Sequence, residues 1–209
     1  MSRPLVISDC DEVLMHMISP FREWLGESQG ITFRMDTHNF VDAMRWTDTG
    51  EPVEPSEIFR LLNGFFATEM HRQYPIAGSV EAVRKLSEVA DVVVLTNVGD
   101  QHQENRTRQL ADHGINVRVY TNLGPKGPAL RRILDEYRPS RAAFIDDIAH
   151  HHNSAAEVAP ELIRLHFCGE PRIAPLIACA HQAGHAHARI DDWASALPWL
   201  LARLEGNSE

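Results

Sequence analysis

The sequence predicts an α/β fold, with a Rossmann-like three-layer core built on a parallel sheet and a small, mostly α-helical insert. Short apolar runs alternate with amphipathic stretches along most of the chain. The runs are β-branched or continuously apolar, as strands covered on both faces tend to be. This alternation is typical of parallel sheets with helices on both faces, where reactive groups lie beyond the carboxyl ends of the strands.

Six of the apolar runs are predicted as strands, and four stretches between them as helices. The predicted strands are Leu5–Ser8, Val92–Thr96, Val117–Tyr120, Ala142–Ile145, Leu162–Phe167 and His187–Ile190. The predicted helices are Ser79–Val89, Gln101–His113, Gly127–Tyr137 and Trp193–Leu204.

The segment of residues 15–74 lacks this strand–helix rhythm. Within it, Pro20–Gly26 and Pro55–His71 are predicted as helices, and Gly30–Phe40 as a small hairpin or a loop. We therefore expect a core of residues 1–14 and 75–209, with residues 15–74 inserted as a separate, mostly helical module.

Size and composition restrict the class of protein. The chain has 209 residues, of which 44% are hydrophobic, and a net charge of −9. The acidity argues against a nucleic-acid partner, and no apolar run approaches the roughly 18 residues that a membrane span needs. Acids from Asp9 onward argue against a signal peptide, and three cysteines without metal spacing predict free thiols in a reducing cytoplasm. The sequence leaves a homodimer open.

The first apolar run ends in Asp9-Cys10-Asp11-Glu12. Side chains alternate along a strand, so Asp9 and Asp11 would point the same way if the strand continued through them. Two carboxylates aimed at one point repel each other unless a cation, a proton or a catalytic task holds them there. An acidic turn is the alternative, because Asp is common in turns.

Two later strands also end in polar pairs, and a lysine lies between them in the chain. Thr96-Asn97 ends the second predicted strand, Asp146-Asp147 follows the fourth, and Lys126 begins a helix. All would meet the first acidic pair at one edge of a parallel sheet. Clustered carboxylates bind Mg²⁺, a lysine and a hydroxyl hold phosphate oxygens, and a free carboxylate can attack phosphorus. The set therefore predicts phosphoryl transfer.

Taken together, four segments resemble the motifs of the haloacid dehalogenase-like (HAD) hydrolase superfamily. They are Asp9-x-Asp11-x-Val13-Leu14, the apolar strand ending in Thr96-Asn97, Lys126, and Phe144-Ile145-Asp146-Asp147. The resemblance covers residues 1–14 and 75–204 and implies the HAD fold. Pro75–Gly78 resembles members with a cap inserted after the first motif, which would make residues 15–74 a cap of the helical type.

The resemblance implies a role for each aspartate of the first motif. Asp9 would be the nucleophile and a metal ligand. Asp11 would be the general acid for the leaving group and then the base that activates water. It would also offer its backbone carbonyl to the metal.

The other three motifs would hold phosphate and Mg²⁺. Thr96 would bind the phosphoryl oxygens with help from the neighbouring Asn97, and Lys126 would neutralise the nucleophile and the phosphoryl group. Asp146 would ligate Mg²⁺, and Asp147 would do so directly or through water.

The implied activity is Mg²⁺-dependent hydrolysis of small phosphate monoesters through a covalent aspartyl-phosphate on Asp9, with a small phosphorylated metabolite as the partner. Dehalogenases of this superfamily do not need Asp11, because a halide leaves without a proton, so its presence favours phosphate chemistry. A phosphomutase of the same superfamily is one alternative. A catalytically silent binding or regulatory protein with the HAD fold is the other.

One position departs from the family pattern. Members often carry Asn four residues after the second Asp of the last motif, where this chain has His151, with Asn153 two residues further on. Either two residues are inserted, or His150–His152 line the mouth of the site. The run itself is interpreted as a solvated helix start, and Pro171–His185 as an extra loop or helix between the last two strands.

Substrate choice would come from the inserted cap. The cap residues that could reach a substrate are Arg22, Arg34, Arg45, Trp46, His71 and Arg72. For each alone, a surface or packing role is the alternative. Arg45 and Trp46 are the first pair to test.

Overall fold

The structure of the chain is a computed structural model that describes residues 2–36 and 42–206. The strands are β1 (Leu5–Ser8), β2 (Met15–His16), β3 (Ile31–Phe33), β4 (Met44–Trp46), β5 (Tyr74–Pro75), β6 (Asp91–Thr96), β7 (Arg118–Thr121), β8 (Ala142–Asp146), β9 (Ile163–His166) and β10 (Ala188–Arg189). The helices are α1 (Ile18–Trp24), α2 (Pro55–Thr68), α3 (Ser79–Val89), α4 (Gln103–Asp112), α5 (Gly127–Tyr137), α6 (Ala149–Val158) and α7 (Trp193–Leu204). None of these helices has the length and apolar character needed to cross a bilayer.

Six parallel strands form the central sheet, in the order β10-β9-β8-β1-β6-β7. β1 lies inside the sheet, where Val6 pairs with Val92 of β6 and with Ala143 of β8. Because the strands are parallel, their carboxyl ends gather at one edge. The predicted α/β fold and its parallel sheet are confirmed.

Helices cover both faces of this sheet. Val6 of β1 packs in a cluster with α3, α4 and α7, whereas Leu5 and Ile7 pack in a second cluster with α5 and α6. Burying such a side chain contributes about 1.5–3 kcal/mol relative to leaving it exposed. A strand with apolar partners on both faces has no polar side, which is why its sequence is continuously apolar.

The six predicted strands are all present, and no strand end differs from its predicted position by more than one residue. Of α6 the sequence predicts only a solvated start at His150–His152, because the first turn, Ala-His-His-His, gives no apolar periodicity. Its buried face is formed by His151, His152, Ser154 and Ala155 instead. The predicted segment Pro171–His185 consists of turns and bends in the structure, with no helix among its residues.

Residues 15–74, here called the insert, have an apolar cluster of their own. α1, α2 and the β3–β4 hairpin surround it. Phe21 and Phe65 lie edge to face inside it, with ring centroids 5.3 Å apart. β2 pairs antiparallel with β5, so the two connections between insert and core lie side by side.

The hairpin reaches further along the chain than the sequence predicts. Thr32 of β3 pairs with Arg45 of β4, so the second strand begins at Met44, beyond the predicted Gly30–Phe40 segment. Residues 37–40 of that segment lie outside the described residues.

Candidate active site

A tight turn at the end of β1 brings the first acidic motif to the edge of the sheet. The backbone N–H of Asp9 still donates to the carbonyl of Ile145 in β8, at 2.8 Å. The carbonyl of Cys10 then accepts from Leu14 at 2.8 Å and from Met15 at 2.9 Å. The chain therefore reverses immediately after Asp9, which leaves that carboxylate at the carboxyl end of a buried strand.

Lys126 joins two of the predicted acidic residues. Its Nζ lies 2.7 Å from Oδ1 of Asp9 and 2.7 Å from Oδ2 of Asp146, and all three side chains are buried. Gly127 fixes this position, because a Cβ there would clash with the carbonyl oxygen of Ser154 in α6. Close packing of α5 on α6 thus aims the lysine between β1 and β8.

The pKa values in this trio reflect competition between burial and charge. Burial raises the pKa of Asp9 to about 7, against the opposing charge of Lys126 and with the help of Asp146. Burial also acts to raise the pKa of Asp146, but Lys126, His151 and His152 together outweigh it and the net shift is downward. For Lys126, burial lowers the pKa, and the two carboxylates more than offset it. One lysine therefore stays charged between two acids and cannot neutralise both.

Asp147 adds a further carboxylate to the same place. Burial raises its pKa well above the ordinary range, and the neighbouring Asp146 and Asp9 raise it further. Oxygens of Asp9, Asp146 and Asp147 lie within 4.8 Å of one another. Clustered carboxylates with excess negative charge suit a hard divalent cation such as Mg²⁺, so the residues present fit that ion.

Asp11 has a different partner from Asp9. Nη2 of Arg106 donates to both of its carboxylate oxygens at 2.9 Å, and Nε2 of Gln73 donates to Oδ1 at 2.6 Å. Arg106 is fully buried in α4 and also donates to side-chain oxygens of Gln73 and Gln109. The side chain of Asp11 thus lies outside the three-acid cluster, held by a cation of its own.

Sequence reasoning missed Arg106. The one available sign is its spacing: it lies four residues before the buried Leu110, on the apolar face of an amphipathic helix. An arginine in that position must find an acid, and here the acid is 95 residues away in the chain.

The second motif contributes a hydroxyl and an amide. Thr96 is fully buried, and its Oγ1 has no hydrogen-bond partner among the described residues. The side chain of Asn97 donates to the carbonyl of Gly124 at 2.9 Å and accepts from Asn122 at 2.9 Å. The amide therefore holds the loop before α5, while the unpartnered hydroxyl of Thr96 is the group with unused hydrogen-bonding capacity.

The interpretation of His150–His152 as a solvated helix start is right only for His150. His151 and His152 are buried, and burial lowers the pKa of each to about 4. Nε2 of His152 donates to the carbonyl of Asp146 at 3.0 Å, and Nε2 of His151 lies 3.3 Å from Nδ2 of Asn97. Both rings are therefore neutral near pH 7. His152 supports the backbone of Asp146 from inside the fold, whereas His151 faces the site beside Asn97.

Glu12 is a second residue that sequence reasoning left without a role. Its backbone is left-handed, with φ 57°, and its side chain is buried. Oε1 accepts from the backbone N–H of Met17 at 2.9 Å and of Ile18 at 2.7 Å, which are orphan donors at the start of α1. The third acid of the first motif thus caps the first helix of the insert.

A cavity of about 510 Å³ lies between the edge of the sheet and the insert. Its floor contains Asp9, Asp11, Asn97, Lys126 and Asp147. Its roof, contributed by the insert, contains Met17, Ile18, Phe33, Phe59, Leu62 and Phe66. Of the cap residues singled out in the sequence, Arg34 lines the cavity; Arg45 is exposed and donates to the carbonyl of Gly50 instead.

The fold and the position of this cavity together define the fold class of the protein. A parallel sheet carries an aspartate at the end of its first strand, and an insert follows directly after that strand. This is the architecture of the haloacid dehalogenase-like hydrolase fold, and the chain has that fold.

Individual solved structures with this fold match almost the whole chain. A HAD family hydrolase from Deinococcus radiodurans R1, with bound phosphate and sodium, has a TM-score of 0.67 at 16% identity, covering 96% of this chain and 96% of that one. A candidate β-phosphoglucomutase from Thermotoga maritima has a TM-score of 0.62 at 17% identity, covering 95% and 98%. A candidate phosphoglycolate phosphatase from Haemophilus somnus 129PT has a TM-score of 0.62 at 13% identity, covering 94% and 97%. No family model and no curated protein matches the sequence.

Proposed function

We propose that this chain is a Mg²⁺-dependent phosphatase that hydrolyses small phosphate monoesters through a covalent intermediate on Asp9. The observation that carries the proposal is the position of Asp9 at the floor of the cavity, 2.7 Å from Lys126 and beside two further carboxylates. The fold supports the same conclusion, because solved structures that share it include phosphatases by their descriptions.

Asp9 acts as the nucleophile. An oxygen of its carboxylate attacks phosphorus, a new O–P bond forms, and the bond from phosphorus to the alcohol oxygen breaks with its electron pair on that oxygen. Lys126 opposes the effect of burial on the pKa of Asp9 and stabilises the charge on the phosphoryl oxygens. The hydroxyl of Thr96, which has no partner among the described residues, donates to one of those oxygens.

Asp11 moves the proton. It protonates the departing alcohol and then takes a proton from the water that hydrolyses the acyl-phosphate. To do so, its carboxylate must loosen at least one of its hydrogen bonds to Arg106 and Gln73. Gln73 directly precedes β5, where the chain returns from the insert to the core.

Mg²⁺ would be held by Asp9, Asp146 and Asp147, with the backbone carbonyl of Asp11 as a further ligand. When bound, it supplies positive charge that balances the excess of carboxylates and attracts phosphoryl oxygens. We assign residues 15–74 to a cap and residues 1–14 and 75–209 to the catalytic core. Asn97 contributes to phosphate binding through its backbone, since its side chain holds the neighbouring loop.

Hydrolysis of p-nitrophenyl phosphate and acetyl phosphate by the purified protein tests the proposal. We expect turnover with Mg²⁺ and none with EDTA. Asp9→Asn should abolish turnover, while Asp135→Asn, an exposed position on α5, should leave it unchanged. Rapid acid quenching should recover phosphate bound to the wild-type protein and none bound to Asp9→Asn. Full activity of Asp9→Asn would overturn the covalent mechanism.

Assays on the same purified protein separate the two alternative functions. A phosphomutase would transfer phosphate between positions of a sugar phosphate and release little inorganic phosphate. A silent binding protein would bind phosphate esters without turning over any of them.

A further inference from the structure

The roof of the cavity differs sharply from its floor. Side chains from three separate stretches of the insert form it: the start of α1, the end of β3 and one face of α2. Ile173, Leu176 and Ile177, from the loop after β9, extend the same apolar lining. Apolar walls therefore meet above the reacting carboxylate from both the insert and the core.

The polar side chains that line the cavity come mostly from the core and not from the insert. Oε2 of Glu12 and Nδ1 of His151, which have no hydrogen-bond partner among the described residues, also belong to the core. Asp11 is held by Arg106. Arg34, at the rim, donates to both oxygens of Asp36, at 3.0 and 2.8 Å. Arg34 is thus the one polar side chain that the described part of the insert contributes to the cavity, and the other described roof residues offer a polyhydroxylated group no side-chain nitrogen or oxygen. Burying hydroxyls without partners is costly, and a site that does so rejects them.

Two large apolar side chains at this cavity are exposed to solvent. Phe59 is 67% exposed and Ile148 is 47% exposed, and both line the cavity. An apolar group lying over the catalytic floor would cover both and remove that surface from water. The cavity volume, about 510 Å³, is within the range of pockets that enclose a small organic molecule.

We infer that the substrate is a phosphate monoester whose organic group is apolar, an aryl, cycloalkyl or medium-length alkyl group, and that sugar and polyol phosphates are discriminated against. This inference rests on the proposed phosphatase activity where it is tested by hydrolysis, and not where it is tested by binding. The phosphoryl group lies on the floor at Asp9 and Lys126, and the carbon skeleton lies against Phe59, Leu62 and Phe66 of the roof.

A matched pair of esters tests this inference. Cyclohexylmethyl phosphate and glucose 6-phosphate both carry a six-membered ring on a CH₂–O–phosphate group, and both leave as primary alcohols. They differ mainly in the ring oxygen and hydroxyls. We expect kcat/KM for the cyclohexylmethyl ester to exceed that for glucose 6-phosphate by about 100-fold, the size of effect that unpaired polar groups produce. Equal values, or a preference for glucose 6-phosphate, would overturn the inference and leave the phosphatase proposal standing.

Binding to Asp9→Asn separates the two proposals. Titration calorimetry of this variant with each ester measures discrimination without turnover, and the cyclohexylmethyl ester should bind at least about tenfold more tightly. If no ester is hydrolysed by the wild type but this preference holds, the proposed activity fails and the inferred ligand class stands. If neither preference is seen, the ligand class fails.

A roof variant links the preference to the cavity. Phe59→Ala changes an exposed side chain, so the fold is retained, and it should reduce the preference for the cyclohexylmethyl ester about tenfold. Val89→Ala, a partly exposed apolar residue at the end of α3, is the matched control and should change nothing. An unchanged preference in Phe59→Ala would contradict the assigned roof.

Discussion

The floor and the roof of the cavity hold their charged residues in opposite ways. On the floor side, Lys126 and Arg106 are fully buried, and each is bonded to acids from distant parts of the chain. On the insert, Arg34 and Arg45 are exposed, and their hydrogen-bond partners among residues 2–36 and 42–206 are near them in the chain. A buried cation is fixed by its partners and its loss leaves unpaired acids, whereas an exposed one is largely screened by water. Paired charged side chains therefore lie on the floor side of the cavity, and apolar side chains form most of its roof.

The largest effect is expected from Lys126→Met. This change removes the cation shared by Asp9 and Asp146 and should lower kcat/KM for p-nitrophenyl phosphate by about 10³-fold. The chain's other lysine, Lys85, is exposed on α3, and Lys85→Met is the matched control. Comparable activity in both variants would remove Lys126 from the mechanism.

Arg106→Met breaks the second buried pair on the floor side. Without the guanidinium, Asp11 keeps only Gln73 as a partner, so the free energy of unfolding should fall by at least about 3 kcal/mol. Arg108→Met, on the same helix but 62% exposed, should change it by less than about 0.5 kcal/mol. Denaturant titrations of the two variants measure the difference, and similar midpoints would show that the buried pair is not needed for stability.

The histidines beneath the floor predict a pH dependence of stability. The pKa of His152 is lowered by burial from 6.5 to about 4, so between these values the unfolded state binds more protons than the folded state. The stabilisation is present above pH 6.5 and is lost as the pH falls toward 4, by on the order of 2–3 kcal/mol for this group.

His152→Gln keeps a side-chain donor for the carbonyl of Asp146 and removes that titration. Urea titrations without Mg²⁺ should show that the variant loses less stability than the wild type between pH 7 and about 4.5. His150→Gln, at an exposed position, should follow the wild-type curve. Parallel curves for all three proteins would contradict the assignment.

The smallest effect is expected on the roof side. Arg34 lines the cavity rim, but its exposure and its pairing with Asp36 limit its contribution, so Arg34→Ala should lower kcat/KM by about threefold or less. Arg45 does not line the cavity, and Arg45→Ala should leave the substrate profile unchanged. A larger effect of Arg45→Ala would favour the first interpretation of the sequence, in which Arg45 and Trp46 select the substrate.

Several site residues could be found from sequence because each follows a strand that is itself recognisable. Asp9, Thr96 and the Asp146-Asp147 pair lie at the carboxyl ends of continuous apolar runs, and parallel topology brings such ends together. Arg106 and His152 could not be found this way. Their roles depend on which face of a helix is buried and on where their hydrogen-bond acceptors lie. The acceptor of Arg106 is distant in the chain, and that of His152 is at the end of the preceding strand.

The sequence by itself determined the order of the candidate site residues along the chain. An acidic pair, a threonine and a second acidic pair each follow an apolar strand, and a lysine begins a helix before the last of these strands. The local sequence pattern is enough to find this order, because an apolar run and the polar residues that follow it are neighbours in the chain. Only the tertiary structure decided how the acids divide their cations, with Asp9 sharing Lys126 and Asp11 holding Arg106. It also decided that the insert presents an apolar roof, because burial and pairing across the sheet are set by packing between distant segments and not by any local pattern.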